Sequence, residues 1–254
     1  MTMFIYNSRI HVQDGNPDNW IRVFPINGGA NIFTSSKAPT SSIISYSGFY
    51  NGNVYVSDGY NGYISICTYN NLALFSSSRQ YTVNPHNGSN GNGPKGMAFD
   101  MNGNIYITNN YGGTGANVQN TVGVYYASNL VAINANLITG LSSPLGIAID
   151  QNFIYVCNIY NSTIGKYNYP DGSVVNANFI TSLSSPRYLK IYGNYIYVSN
   201  FTTGTIGVYY KNTGTPYNST FITGLSSPTG LDINGVYLYV INAGSKSVNR
   251  YQLN

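Results

Sequence analysis

Charge is what this sequence has least of. Only 7% of its 254 residues are charged, where a soluble domain ordinarily carries about 25%. Glutamate is absent; all seven acidic residues are Asp. The formal net charge is +4, but Lys and Arg are scattered from Arg9 to Arg250 with no cluster or stripe. That excludes the electrostatic footprint of a nucleic-acid binder. Two cysteines, Cys67 and Cys157, are too few for a disulfide framework. Two histidines, His11 and His86, are too few for a zinc site of three or four ligands. No run approaches the roughly 20 apolar residues of a membrane helix, so membrane insertion is not expected. The opening MTMFIYNSRIHV is too short and polar for a leader, so a cytoplasmic or particle-associated location is expected. A sustained helical period is missing too.

What remains is Asn, Ser, Thr, Gly and 26 Tyr. Solubility therefore comes from amides and hydroxyls. Such a surface repels its neighbours weakly and tolerates close packing. It suits a structural component of an assembled particle, such as a virion or surface layer, and AT-rich coding also favours it.

Internal repetition is the strongest signal. Pro39, Pro94, Pro144, Pro186 and Pro228 are spaced by 55, 50, 42 and 42 residues. The apolar starts Ile10, Val54, Ile105, Ile154, Ile196 and Leu238 are spaced by 44, 51, 49, 42 and 42. Six copies of one unit follow, with boundaries near 1–38, 39–93, 94–143, 144–185, 186–227 and 228–254, forming a single domain. Each reads as four strands; GIAID, FIYVCN, TIGKYNY and ANFITSL are those of the fourth unit. They are rich in β-branched and aromatic residues and bounded by Gly, Asn, Asp and Pro. The second strand is almost continuously apolar, which requires cover on both faces. Repeated four-stranded units of about 40–45 residues, stacked face to face, describe an all-β, six-bladed β-propeller with antiparallel blades.

The stretch PLGIAIDQNFIYVCNIYNSTIGKYN resembles the NHL-repeat pattern: a Pro-x-Gly-apolar entry strand, then an Asp turn, an Ile-Tyr-Val strand and a third strand. The likeness is clearest in units three to six, and it implies six blades. It specifies architecture rather than activity. The chain departs from the usual ring closure. Unit one starts with its own first strand, and unit six ends after its third, SVNRYQLN. A three-stranded last blade is expected, whose edge either invites pairing with another chain or is blunted by Asn249, Arg250 and the turn residues, blunting being the expected case.

Candidate chemistry is weighed against the repeat. Asp14, Asp58, Asn109, Asn158, Asn200 and Asn242 follow the second strand in every unit. A feature in every blade serves every blade, so these are expected to cap the next turn through nearby backbone amides. Asp100, Asp150 and Asp171 are turn residues. Lys190 and Asp232 occupy matching places in neighbouring units and are expected to pair. His11 and both cysteines read as packed interior side chains, the cysteines too far apart to bond. The recurrent GLSSP serines read as connectors rather than nucleophiles.

The longest connections, 79–95 and 109–120, flank unit three and leave the same face, where insertions often mark binding. Tyr60, Tyr81, His86, Lys95, Tyr111, Tyr160, Arg187 and Tyr188 are the candidate binding residues there, for a protein or glycan partner or a further copy of the chain. A second resemblance, to senescence-marker and gluconolactonase-type propellers, implies the alternative of a metal-dependent lactonase or esterase. That family holds a cation with Glu, Asn and Asp. Here there is no Glu, and the Pro-Asn-Gly ligand position reads Lys95, Leu145, Arg187 and Thr229. Amidating-lyase relatives would need zinc-binding histidines. The expectation is a non-enzymatic binding or assembly module with no cofactor and no metal.

Overall fold

The computed structural model describes residues 2–6, 9–13, 21–27, 33–34, 44–58, 62–70, 73–82, 93–110 and 120–253. These form six antiparallel sheets in chain order. Sheet one holds β1 (Thr2–Tyr6), β2 (Arg9–Gln13), β3 (Ile21–Pro25) and β4 (Phe33–Thr34). Sheet two holds β5 (Ile44–Tyr50), β6 (Asn53–Asp58), β7 (Tyr63–Asn70) and β8 (Ala73–Thr82). Sheet three holds β9 (Gly93–Phe99), β10 (Asn104–Asn110), β11 (Thr121–Tyr126) and β12 (Ala132–Ile138). Sheet four holds β13 (Pro144–Ile149), β14 (Phe153–Asn158), β15 (Thr163–Asn168) and β16 (Val174–Ile180). Sheet five holds β17 (Pro186–Tyr192), β18 (Tyr195–Asn200), β19 (Thr205–Tyr210) and β20 (Pro216–Ile222). Sheet six has three strands, β21 (Pro228–Asn234), β22 (Tyr237–Asn242) and β23 (Ser247–Gln252). Among the described residues there is no helix long and apolar enough to cross a membrane.

The cores lie between sheets. Val122, Ile138 and Leu141 pack on Ile147, Ile154 and Val156 between sheets three and four. Cys157, Ile164 and Ile180 meet Leu189, Ile196 and Val198 between four and five. Met3, Ile10 and Val12 meet Tyr239 and Ile241 between one and six. This is why the second strands read as unbroken apolar runs: in β14, β18 and β22 every residue after the first is buried. First strands pack on first strands, β5 on β9, β9 on β13, β13 on β17 and β17 on β21, and β1 lies against both β5 and β21.

Three repeated devices hold this arrangement. The first is a tyrosine in the second strand whose hydroxyl reaches the next sheet. Tyr55 donates to the Ala127 carbonyl at 3.0 Å, Tyr155 to Lys211 O at 3.4 Å and Tyr239 to Ile26 O at 3.2 Å. The last of these links sheet six to sheet one. The second is a hydroxyl plugging a bulge in the first strand. Ser57 Oγ accepts the Tyr46 N–H and bonds the Lys95 carbonyl of the next sheet. Thr108 Oγ1 accepts Gly96 N–H and donates to Leu145 O. Cys157 takes this position in sheet four, beside Gly146. It is buried and forms no disulfide, like Cys67.

The third device corrects the expected turn caps. Asn158 Oδ1 accepts the Ser142 N–H, and Asn200 Oδ1 that of Ser184. Both amides lie in the connector entering the sheet, not in the turn after the second strand. The same Asn side chains hydrogen-bond Tyr167 and Tyr209, and Asn109 bonds Tyr125. Each tyrosine folds back over a glycine two residues earlier. A Cβ at Gly123 or Gly165 would lie 2.6 Å from the Tyr125 or Tyr167 hydroxyl. In sheet six Asn249 stands at the glycine position. There Asn242 Oδ1 is buried without a hydrogen-bond partner among the described residues.

His11 takes the place of the second-strand tyrosine in sheet one and is fully buried. Burial and then nearby Arg9 lower its pKa to about 4, against a raising contribution from the Tyr6 backbone. The unfolded chain binds this proton near pH 6.5 and the folded chain only near 4, so stability falls as pH drops through that window. The loss is about 3 kcal/mol in full, and His11→Phe is expected to flatten the slope in urea titrations between pH 7 and 4. Gly165→Ala is expected to displace Tyr167 from Asn158 and cost about 1–3 kcal/mol, read as a lower urea midpoint.

Candidate functional site

Antiparallel meanders place the connections that enter first strands, and those joining second to third strands, on one face. Segments 83–92 and 111–119, the cores of the two long connections expected to mark a binding face, lie outside the described residues. Tyr60, His86 and Tyr111 lie outside the described residues, as do Asp14 and Asp18. Tyr81 belongs to β8. Tyr160 sits in the turn between β14 and β15 with 72% of its surface exposed.

Lys95 lies in β9, and Arg187 and Tyr188 lie in β17, both first strands of their sheets. The Pro-x-Gly entry reads PKG, PLG and PTG in sheets three, four and six. At Gly96 a Cβ would collide with the Leu145 carbonyl of the next sheet, and at Gly146 it would lie 2.8 Å from Arg187 O. Glycine there lets first strands approach closely. In sheets two and five the position is Tyr46 and Tyr188, each opposite the bulge-plugging serine. These sheets are three places apart, so the two side chains meet from opposite sides. Their rings stack at 6.1 Å and 13°. The Tyr46 hydroxyl donates to Arg187 O at 2.9 Å. Tyr188 and Tyr46 thus form an aromatic plug between sheets two and five. Sequence reasoning missed Tyr46; the available signal was an aromatic at a place that is glycine in three other units.

Charge around this plug is partly buried. Burial lowers the Lys95 pKa to about 8, against the opposing pull of Asp58. Asp58 ends β6 and is 1% exposed. Arg187 stacks its guanidinium 3.7 Å from the Phe201 ring, and burial lowers its pKa against the opposing influence of Tyr46. Its Nε is buried without a hydrogen-bond partner among the described residues. Further down the inner strands Lys190 Nζ meets Asp232 Oδ1 at 2.7 Å, and Asp232 Oδ2 accepts the Ile5 N–H. Burial works against the Lys190 ammonium, but Asp232 outweighs it and raises its pKa. Among the described residues no group of three or more His, Cys, Asp or Glu is placed to hold a metal ion.

The opposite face carries a cleft between sheets three and four, walled by Phe99, Ile149 and Tyr169 with Asp100 and Asp150 at its sides. Both carboxylates are already engaged. Asp100 accepts the Asn102 and Asn104 N–H groups, the Asn104 side chain and the Tyr169 hydroxyl. Asp150 accepts the Asn152 and Phe153 N–H groups and pairs with Lys211 at 3.0 Å. These turn residues thus tie neighbouring sheets together as well as closing their own turns.

Lys95 is expected to titrate near pH 8 by NMR of its side chain and Lys190 above the ordinary lysine value, with Asp58→Asn moving Lys95 lower still.

No family model matches the chain, and no curated protein is similar to it in sequence. Solved structures are similar in fold. A luciferin-regenerating enzyme superposes with a TM-score of 0.72 at 14% identity, over 95% of this chain and 83% of that one. A chain of a nidogen/laminin complex gives 0.71 at 18%, over 96% and 88%. Virginiamycin B lyase from Staphylococcus aureus gives 0.68 at 13%, over 100% and 94%. These are propeller-type proteins, and the fold of this chain is of that type.

Proposed function

We propose that the chain is a closed six-bladed propeller of NHL-like units, and that it acts as a non-enzymatic binding or assembly module. The partner, a protein or glycan, meets the face that carries Tyr160 and the mouth formed by Lys95 and Arg187. The supporting observation is convergence. Tyr160 stands 72% exposed in the turn between β14 and β15, a connection that shares its face with the entries to the first strands, where Lys95 and Arg187 lie. Beside them Tyr46 and Tyr188 stack between sheets two and five, and the Tyr46 hydroxyl donates to Arg187 O. A surface of amides, hydroxyls and aromatic rings with sparse charge supports contact by stacking and neutral hydrogen bonds. Such a surface suits the crowded setting of an assembled particle.

The test uses paired faces. Tyr160→Asp combined with Arg187→Ala is expected to weaken a partner or glycan recovered with the intact chain by about tenfold or more. Met101→Asp, on the opposite face and 89% exposed, is expected to leave it unchanged. Equal loss from both changes would remove the proposed face. Hydrolysis of lactones or aryl esters that requires an added divalent cation and stops with chelator would replace this reading with the hydrolase.

A further inference from the structure

The turns that join first to second strands differ between sheets. In sheets two, five and six the last pairs are Tyr50 with Asn53, Tyr192 with Tyr195 and Asn234 with Tyr237. Those strands are joined by tight turns at 51–52, 193–194 and 235–236. In sheets three and four the last pairs are Phe99 with Ile105 and Ile149 with Ile154. The turns there, 100–104 and 150–153, are wider, and each begins on Asp. These two sheets are neighbours, β9 packing on β13. Their wide turns stand on either side of the cleft walled by Phe99, Ile149 and Tyr169, a cavity of about 320 Å³. That volume is at the small end of the range for ligand pockets. A feature confined to one pair of neighbouring sheets is not required by the repeat.

Both aromatic walls are held in place. Phe99 stacks on Tyr50 of sheet two at 4.9 Å and 3°. The Tyr169 hydroxyl donates to Asp100 Oδ2 at 3.1 Å and accepts the Asn102 side-chain amide at 3.0 Å. Charge in the cleft is uneven. Asp150 pairs with Lys211, and Lys166 also acts on it from the side of sheet five. Neither lysine lines the cavity. Asp100 forms no ion pair among the described residues, so no cation offsets its charge beside the aromatic walls. It is nevertheless saturated with hydrogen bonds. Oδ1 accepts the Asn102 and Asn104 N–H groups, and Oδ2 accepts the Asn104 side-chain amide and the Tyr169 hydroxyl. Such a set fills the lone-pair positions of a carboxylate.

We propose that this cleft binds a small organic cation through a quaternary ammonium head group. A primary amine or a guanidinium would bring N–H donors to a carboxylate with no lone pair left to accept them. It would lose its hydration without replacement. A quaternary ammonium carries no N–H. It needs only a negative field, aromatic rings and methyl-sized apolar contacts. Asp100 supplies the first, Phe99 and Tyr169 the second, and Ile149 the third. A metal ion is disfavoured for the same reason as an amine, since binding it would require the Asp100 oxygens to give up their present donors. The site lies on the face opposite Tyr160 and does not depend on the reading of the chain as a binding module.

The probes are choline, ethanolamine and the neutral isostere of choline in which tert-butyl replaces trimethylammonium. Each is titrated into the intact chain and followed by NMR at Phe99, Ile149 and Tyr169. Saturable binding of choline is expected with a Kd on the order of 1 mM, the isostere and ethanolamine each binding about tenfold more weakly. Phe99→Leu keeps an apolar wall and removes one ring, and is expected to weaken choline about threefold or more. Gln151→Lys is an exposed change at the rim of the cleft. It is expected to weaken choline about threefold at low salt and less at high salt, with the urea midpoint unchanged. Equal affinity for choline and its neutral isostere overturns the proposal, as does equal affinity for ethanolamine. So does the absence of a saturable shift at Phe99, Ile149 and Tyr169. Tyr160→Asp combined with Arg187→Ala is expected to leave choline binding intact, so failure at the cleft and failure at the opposite face are read separately.

Discussion

Burial of the second strand on both faces is the constraint on which the rest of this molecule depends. A sheet with two apolar faces is unstable alone, so each must be covered by a neighbour. The tyrosine in that strand turns a general demand for cover into a specific one. Its ring fills the gap between sheets, and its hydroxyl ends on a carbonyl of the next sheet. Each such bond contributes only about 1 kcal/mol, but it sets how far one sheet is rotated against the next.

Specialisation then consists of departures from that plan. Glycine lets the first strands crowd together, and tyrosine in its place in two opposite sheets fills the axis. Lys166 occupies a position that is valine in the neighbouring sheets. It lies 3.8 Å over Phe153 and 4.6 Å over Phe179, so ring quadrupoles replace the water that burial removes. Asn249 replaces the glycine under the folded-back tyrosine, in the sheet with three strands among the described residues.

The same logic explains the mixed character of the inner mouth. Lys95 and Arg187 follow the entry prolines, where chain geometry brings every sheet close to the axis. Neighbouring side chains offset part of their burial. Asp58 partly offsets the burial of Lys95, and Phe201 covers the Arg187 guanidinium.

The sequence by itself determined the repeated unit and the strands within it. Those follow from periodicity, apolar runs and turn residues, which act over a few positions. It also placed Lys190 beside Asp232, because repeats put matching positions in matching places. Tertiary structure alone decided which side chains meet across sheets. Asn158 and Asn200 look like turn caps in sequence, yet they serve a connector 16 residues earlier. Tyr46 and Tyr188 lie 142 residues apart and meet only because their sheets stand on opposite sides of the axis. Local pattern sets what each unit is; contacts between distant units depend on how the sheets pack, which no single stretch of chain encodes.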